Sequence, residues 1–363
     1  MIVGILGAGQ LGRMLAMAGY PLGLRFRTLD LSSEAPAGPV SELMVADFND
    51  TDALKRFARG LDLVTYEFEN VPVDSARFLN RRVTVLPPPE ALEVAQDRVS
   101  EKSFFERLGI PAPRFVAVNT WDDLKNALNE IGLPAVLKTR RFGYDGKGQF
   151  VLRKTEDVSV AWQSLSGVPL ILESFVAFER EVSILAVRSR PGETRFYPLV
   201  ENHHQDGILR LSLCPAPGAS FELQSEAEDY AKRTLEALNY VGVLAIEFFQ
   251  HEGHLLANEM APRVHNSGHW TIEGAETSQF ENHLRAILGL PLGSTATVGY
   301  SAMLNIIGTI PDSRTVLSIP DVHLHLYGKA ARPNRKLGHI TIRAQSEEAR
   351  GARLAELRSI TEQ

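Results

Sequence analysis

Two glutamates, Glu247 and Glu259, lie in the apolar segments 243–249 and 254–260, with only His251, Glu252 and Gly253 between them. Read as strands joined by a three-residue hairpin loop ending in glycine, the segments pair position 247 with 257. Glu259 is then a diagonal neighbour of Glu247 on the same face. Carboxylates gathered on one sheet face repel unless a cation lies between them, and hard oxygen ligands beside phosphates suit Mg²⁺, with Mn²⁺ as a substitute. Asn258 points to the opposite face of a regular strand, so it joins the pair only if the strand is locally irregular. The competing reading sends one glutamate to solvent. Directly downstream, Ala261-Pro262-Arg263-Val264-His265-Asn266-Ser267-Gly268-His269-Trp270 puts Arg, His, Asn and Ser into one loop beside the pair. That is the composition of an anion or substrate shelf.

A second chemical feature is Arg140-Arg141-Phe142-Gly143-Tyr144-Asp145-Gly146-Lys147-Gly148-Gln149, with three glycines and three cationic side chains between the strand-like segments 135–139 and 149–152. It lacks the strand-to-helix context and the G-K-[ST] ending of a P-loop. What remains is a flexible hairpin lid whose amides and cations can close over a polyphosphate, with Lys138 directed from the preceding strand to the same place. Taken alone, it reads equally as a solvated hairpin. Gly7-Ala8-Gly9-Gln10-Leu11-Gly12 fits G-x-G-x-x-G between a strand and a helix, with Asp30 near the end of the second strand. This is the arrangement of a dinucleotide site, in which helix N-terminal amides hold a phosphate. The same glycines also suit a plain tight turn or a mononucleotide phosphate. Lys329, Arg332, Arg335 and Lys336 form a further basic cluster, which by itself reads as a solvated turn.

The elements that must position these residues fall into three stretches. Segments 2–6, 11–19, 25–29, 52–59 and 63–66 alternate strand and helix, a βαβ signature with a parallel sheet. Pro87-Pro88-Pro89 breaks that alternation, and a charged helical segment, 90–108, follows. From 111 to about 290 the pattern is mixed α+β, with strands at 135–139, 149–152, 170–174 and 182–187 and a helix at 224–238. After Gly289-Leu290-Pro291, segments 301–307, 322–327 and 339–343 read as β, before a helical charged tail. The 363 residues allow two or three domains, and 44% hydrophobic with 23% charged residues excludes wholesale disorder. A formal net charge of −6 advertises no nucleic-acid or membrane surface, so small molecules are the expected partners. The single cysteine, Cys214, excludes an internal disulfide and fits a reducing, cytoplasmic setting. No signal-peptide pattern is expected at the N-terminus, and no run reaches the roughly 18 apolar residues of a membrane helix.

The order of the strings GAGQLG, TYEFEN at 65–70, QDR at 96–98, LKTRRFGYDGKGQ, ESFVAFEREVS, ENHHQDGIL, NEMAPRVHNSGHWT and RPNRKLGHI carries a resemblance. Over essentially the whole chain it resembles the ATP-grasp superfamily, and within it the N5-carboxyaminoimidazole ribonucleotide synthetase family, ATP-dependent carboxylases of purine synthesis. GYDGKGQ and APRVHNSGHWT are its specific part. The resemblance implies an α/β and α+β architecture: a Rossmann-like pre-ATP-grasp domain at 1–95, a two-part ATP-grasp domain at 96–292 and a small β-rich domain at 293–363.

It implies further that Arg98, Lys138 and the lid residues Gly143, Tyr144, Asp145, Gly146, Lys147, Gly148 and Gln149 contact ATP phosphates. Glu173, Ser174, Phe175 and Val176 would form the hinge that reads adenine, Glu181 would take the ribose hydroxyls, and His204 would line the same site. Glu247 and Glu259 match the Mg²⁺ ligands, with Asn258 beside them. Aminoimidazole ribonucleotide would lie across Gly9, Gln10, Leu11, Glu67, Tyr144, Lys147 and Ser267, with Lys329 and Arg335 among its contacts. Arg263, His265 and Lys336 would surround bicarbonate and the carboxyphosphate formed from it, with Glu67 also in a catalytic role. The family leads one to expect glycine where Phe142 stands and arginine where Lys147 stands. The implied partners are small molecules, and the implied assembly is a homodimer. The acceptor of the amine proton stays open among His265, Glu67 and released phosphate. Three other readings compete: another ATP-grasp ligase such as a formate-using purine transformylase, an NAD-dependent oxidoreductase resting on GAGQLG and Asp30, and a non-catalytic nucleotide-binding regulator.

Overall fold

The computed structural model describes residues 1–143 and 146–361. Strands β1 (Ile2–Leu6), β2 (Arg25–Asp30), β3 (Glu42–Val45) and β4 (Leu63–Tyr66) make a four-stranded parallel sheet in the order β3-β2-β1-β4, joined through helices α1 (Gln10–Gly19) and α2 (Thr51–Ala58) and followed by α3 (Val73–Asn80). Near-continuous apolar strands and an amphipathic α1 dictate this. Leu11, Met14 and Leu15 recur at helical spacing and enter the same core as Phe280, Leu284 and Ile287 further along the chain. The N-terminal sheet is therefore fused through its helix to the centre of the molecule.

The single helix expected over 90–108 is two, α4 (Pro89–Ala95) and α5 (Arg98–Arg107). The break has a local cause. Asp97 accepts the N–H groups of Val99 and Ser100 as a cap, and Gln96 turns its amide to the carbonyls of Glu69 and Val71.

Strands β5 (Phe115–Val118), β6 (Ala135–Thr139), β7 (Gln149–Leu152) and β8 (Leu170–Ser174) then form a small antiparallel sheet in the order β5-β8-β6-β7, covered by α6 (Trp121–Ile131) and α7 (Thr155–Leu165). The glycine-rich run joins β6 to β7.

A nine-stranded sheet follows. It comprises β9 (Arg180–Arg188), β10 (Thr194–Phe196), β11 (Val200–Gln205), β12 (Ile208–Cys214), β13 (Gly242–His251), β14 (His254–Ala261), β15 (Tyr300–Ile307), β16 (Val322–Leu326) and β17 (Lys336–Ala344). Its order is β14-β13-β9-β11-β12-β15-β17-β16, with β10 beside β9. Helices α8 (Phe221–Ala237), α9 (Thr271–Gly274) and α10 (Gln279–Leu288) precede β15, α11 (Ser313–Leu317) precedes β16, and α12 (Glu347–Thr361) follows β17. Because β15 pairs with β12 from Leu211↔Leu304 to Cys214↔Ser301, hydrogen bonding runs unbroken past residue 293. The C-terminal strands continue the central sheet.

One hairpin departs from its expected register. The β13–β14 turn is a two-residue loop, with Glu252 at φ 51° and Gly253 at φ 77°, and His251 pairs with His254. Both central residues take the left-handed conformation of a type I′ turn, which matches the twist of the strands. Regular pairing from this turn would set Glu247 opposite Asn258. Instead the register shifts between Glu247 and Phe248, and Glu247 faces Glu259 directly.

At the mouth of the lid, Phe142 sits at φ 61° and the residue is 71% exposed. It occupies the position where the family resemblance leads one to expect glycine, and its side chain crowds its own backbone there. Phe142→Gly should leave the unfolding free energy unchanged or raise it by up to about 1 kcal/mol, because relief of that crowding offsets the added freedom of the unfolded chain. Phe142→Val, β-branched, should lower it. Denaturant titration of the three proteins measures the ordering.

Candidate active site

A cavity of about 1020 Å³ opens where the parallel sheet, the lid, the acidic hairpin and the C-terminal strands meet. Its floor is the bulged hairpin. The extra residue of the bulge is Asn258, and its buried Oδ1 has no hydrogen-bond partner among the described residues. The irregularity that Asn258 requires is thus present, and the expected 247–257 pairing is replaced by the closer juxtaposition of Glu247 with Glu259.

Helix α5 holds this bulge in place. Arg98, Glu101 and Lys102 share one face at i, i+3 and i+4 spacing. Arg98 Nη1 donates to Glu259 Oε2 at 2.9 Å, Glu101 Oε1 accepts the N–H of Met260 at 2.6 Å, and Lys102 Nζ reaches the carbonyl of Asn258 at 3.2 Å. Lys102 also lies 3.4 Å from Glu173 Oε2, which accepts from Lys138 at 2.8 Å. Burial alone would raise Glu173, but Lys102, Lys138 and Arg98 hold it down at about 2. Burial lowers Lys138 despite Glu173. Burial and the neighbouring charge of Glu259 push Glu101 up to about 8. Burial would likewise raise Glu247, yet the hydrogen bond from His265 and the positive charge around it, Lys336 included, keep it at about 2. His265 Nε2 is 3.1 Å from Glu247 Oε1.

Two carboxylates side by side and an orphaned amide oxygen are the hard donors a Mg²⁺ ion takes. Among the described residues no set of three His, Cys, Asp or Glu side chains is arranged as a metal cage. A cation here would complete its shell with water or phosphate oxygens, which is how Mg²⁺ is held at nucleotide sites. The donors fit such an ion.

The glycine turn after β1 is filled from within. Glu67 accepts from the N–H groups of Gly9 and Gly12, the latter at 2.7 Å, and Asp30 Oδ2 accepts the N–H of Ala8 at 2.9 Å. A Cβ on Gly7 or Gly9 would lie 2.5 Å from the Glu67 side chain. The carboxylate thus occupies the helix N-terminus that the dinucleotide reading assigns to a phosphate. Burial raises Glu67 even against these hydrogen bonds.

The loop after β14 contributes Arg263, which grips Glu69 Oε2 through Nε at 2.6 Å and Nη2 at 2.5 Å. His265 is held by its backbone, because Gln279 accepts its N–H at 2.9 Å and donates to its carbonyl at 2.7 Å. Ser267 is fully buried behind His265 and does not line the cavity. Lys329 donates to Gln10 Oε1, and Lys329, Arg332, Arg335 and Lys336 all face the cavity. The lid arginines are pinned at their base: Arg140 and Arg141 both bind Asp97, at 2.9 and 3.3 Å. Gly146, at φ 75°, packs against the turn between β11 and β12, where a Cβ would meet Asp206 O at 2.6 Å.

The structure brings Gln10, Leu11, Glu67, Arg98, Gly143, Gly146, Lys147 and His204 to one cavity with Glu247, Glu259, Arg263, His265 and the C-terminal cations. Lys138, Glu173 and Asn258 lie just behind this wall. Gly9 is covered by Glu67. Gly148, Gln149, Ser174, Phe175, Val176 and Glu181 lie off the cavity wall, and Glu181 Oε2 is 2.7 Å from His204 Nδ1. The N–H groups of Ser174 and Phe175 already donate to Arg114 O and Pro134 O at 2.8 and 3.3 Å, and the Glu173 side chain is committed to lysines. Tyr144 and Asp145 lie outside the described residues. Sequence reasoning did not single out Glu69, Asp97, Glu101 or Lys102. The signal was there in part: Arg98, Glu101 and Lys102 put three charges on one face of a helix that has to be buried.

Known proteins resemble the chain along its length. Residues 1–96 match the ribonucleotide synthetase preATP-grasp domain, 103–280 the ATP-grasp domain and 301–353 the phosphoribosylaminoimidazole carboxylase C-terminal domain. The chain is 56% identical over 362 residues to the N5-carboxyaminoimidazole ribonucleotide synthase of Pseudomonas aeruginosa, covering 100% of each. The solved N5-carboxyaminoimidazole ribonucleotide synthetase of Thermus thermophilus matches with TM-score 0.96 at 62% identity over 99% of both chains. The Aspergillus clavatus N5-carboxyaminoimidazole synthase, in complex with ADP and 5-aminoimidazole ribonucleotide, matches with TM-score 0.93 at 33% identity over 99% of this chain and 98% of that one.

Glu101 supplies a prediction. Its folded carboxyl titrates near 8 but its unfolded one near 4.5, so between those values the native state binds the extra proton and stability falls as pH rises. Glu101→Gln should remove that decline, at most about 1.4 kcal/mol per pH unit, without altering the acid limb set by Glu173 and Glu247. Denaturant unfolding of the ligand-free protein across about pH 5 to 8 measures the difference in slope.

Proposed function

The chain belongs to the N5-carboxyaminoimidazole ribonucleotide synthase family of ATP-grasp ligases, and we propose that its cavity carboxylates the exocyclic amine of 5-aminoimidazole ribonucleotide with ATP and bicarbonate. The products are N5-carboxyaminoimidazole ribonucleotide, ADP and phosphate, a step of purine synthesis. The observation that carries the assignment is the meeting in one cavity of the Glu247/Glu259 pair, the lid and the Arg263–His265–Lys336 group. The first two suit nucleotide phosphates, and the third offers fixed positive charge and donors to a small anion. The NAD alternative is not favoured, since Glu67 fills the turn a pyrophosphate would need. The formate-using transformylase is not favoured beside full-length relatives of the synthase family.

Mg²⁺ at Glu247, Glu259 and Asn258 would neutralise phosphate charge as the γ-phosphoryl transfers. Arg98 and Lys138 bring further positive charge to the phosphates. Val176 reads the base beside the strand end 173–175, whose N–H groups at Ser174 and Phe175 are already engaged, and Glu181 with His204 faces the ribose. Arg263 and Lys336 hold bicarbonate in line with the γ-phosphoryl and then stabilise carboxyphosphate. Lys147 and the remaining lid residues close over the cavity and exclude water from an intermediate that hydrolyses readily. Gln10, Leu11, Lys329 and Arg335 seat the ribonucleotide at the opposite end, and its amine captures the CO₂ that carboxyphosphate releases. Glu67, its carboxyl pushed up by burial against the N–H groups of Gly9 and Gly12, faces that end. We place the enzyme in the cytoplasm as a homodimer; among the described residues no helix is long and apolar enough to cross a membrane.

Labelled bicarbonate should enter an acid-labile product only when ATP and the ribonucleotide are both present, with stoichiometric phosphate. Turnover with formate and no ribonucleotide-dependent incorporation would assign the chain to another ligase. In the metal site, Glu247→Gln and Glu259→Gln preserve shape but remove compensating charge. Each should cut turnover by about 10²-fold or more and shift the Mg²⁺ requirement upward, while the protein still unfolds in one cooperative transition. Activity titrated against Mg²⁺ and thermal unfolding together measure this.

A further inference from the structure

Behind His265 runs a line of buried hydroxyl and amide groups that the cavity itself does not use. Ser212 Oγ donates to Asn202 Oδ1 at 2.8 Å, and Asn202 Nδ2 donates to Ser183 Oγ at 2.8 Å. Ser183 Oγ donates to Ser267 Oγ at 2.9 Å, and Ser267 Oγ lies 2.9 Å from His265 Nδ1. Ser183, Ser212 and Ser267 are 0% exposed and Asn202 is 4% exposed, so none can exchange its partner for solvent. The line crosses β12, β11 and β9 and ends on the loop after β14.

Its direction is set at both ends. Asn202 Nδ2 only donates, so Ser183 accepts there and passes its own proton to Ser267, while the direction of the last link, from Ser267 to His265, is fixed by the ring atom it faces. Independently, the backbone N–H of Ser267 is 3.3 Å from the same Nδ1, and a backbone N–H has no other role. Nδ1 is therefore an acceptor twice over, and the ring proton of neutral His265 sits on Nε2, aimed at Glu247 Oε1 3.1 Å away. The Gln279 clamp on the His265 backbone fixes where the ring starts, and the hydroxyl line fixes how it turns.

We propose that Ser183 and Asn202 are positioning residues that hold His265 as an Nε2–H hydrogen-bond donor toward the reacting anion, which removes His265 from the candidates for accepting the amine proton. The proposal rests on the carboxylase reading above and adds the role of this residue within it. A neutral ring whose only lone pair is buried against Ser267 has none to offer the cavity. It can orient an oxygen of bicarbonate or carboxyphosphate once a cation takes Glu247, and it keeps the carboxyl group near the amine while the lid is closed.

The test begins with the wild-type protein. Long-range proton–nitrogen spectra of protein labelled with ¹⁵N-histidine, with the His265 signals identified by their loss in His265→Gln, should show a bare Nδ1 and a protonated Nε2. Ser183→Ala breaks the line beneath the ring. It should lower ribonucleotide-dependent carboxylation about tenfold or more, leave the KM for ATP within about twofold, and release phosphate in excess of product. Ser183→Thr, which keeps the hydroxyl, should restore coupling. An Nδ1-protonated ring in the wild type, or Ser183→Ala with wild-type rate and coupling, would overturn the proposal. If Ser183→Ala fails to fold, the wild-type ring spectrum decides. Failure of wild-type protein to incorporate bicarbonate would instead remove the carboxylase reading, and the two failures are read from different experiments.

Discussion

Everything at the centre of this molecule depends on compensating buried charge at hydrogen-bond range. Glu101, Glu173, Glu247 and Glu259 crowd into one region with Arg98, Lys102, Lys138 and His265. In a poorly solvated interior an unpaired member would cost several kcal/mol, so each must find its counter-charge or stay protonated. The chain does both. Glu173 is shared by two lysines, while Glu101, whose burial and neighbour Glu259 outweigh the charges of Arg98 and Lys102, is pushed up to about 8 and spends its Oε1 on the Met260 amide. Glu259 pairs with Arg98 and Glu247 with the His265 ring, and both carboxylates line the cavity. That leaves them the pair most readily recruited by an incoming metal ion.

The β-bulge is the backbone side of the same constraint. One extra residue in β14 puts two carboxylates directly opposite each other, where like charges destabilise a sheet. It persists because α5 ties it from three sides, through Glu259, the Met260 amide and the Asn258 carbonyl. Helix position and strand register are thus one arrangement, and Asp97, which caps that helix and binds the two lid arginines, links it to the base of the lid.

The N-terminal parallel sheet satisfies its glycine-rich turn from within. Glu67 supplies the negative charge that the helix N-terminus favours, so the turn is satisfied without a ligand and instead presents Gln10 and Leu11 to the cavity. The α1 face is buried against α10, and the C-terminal strands continue the central sheet, so three sequence stretches wall one space.

Much of the chemistry was legible in residue types and local spacing. The glycines of the lid and of the first turn, the acidic hairpin and the dense polar loop at 261–270 stand out because short-range patterns restrict what backbone and side chains can do. Spacing also indicated that Asn258 joins the pair only through an irregular strand. What it could not decide is whether the irregularity exists, since strand faces alternate with period two and a single inserted residue inverts every assignment beyond it. The two-residue turn actually used, and the bulge that follows it, are settled by α5 packing across β14, an element about 160 positions away in sequence. For the same reason Glu67 on the glycine turn, Lys102 beneath the bulge and Ser267 behind His265 acquired their places only in the folded chain. Each is a buried polar group whose partner is chosen by proximity in space, which local sequence does not encode.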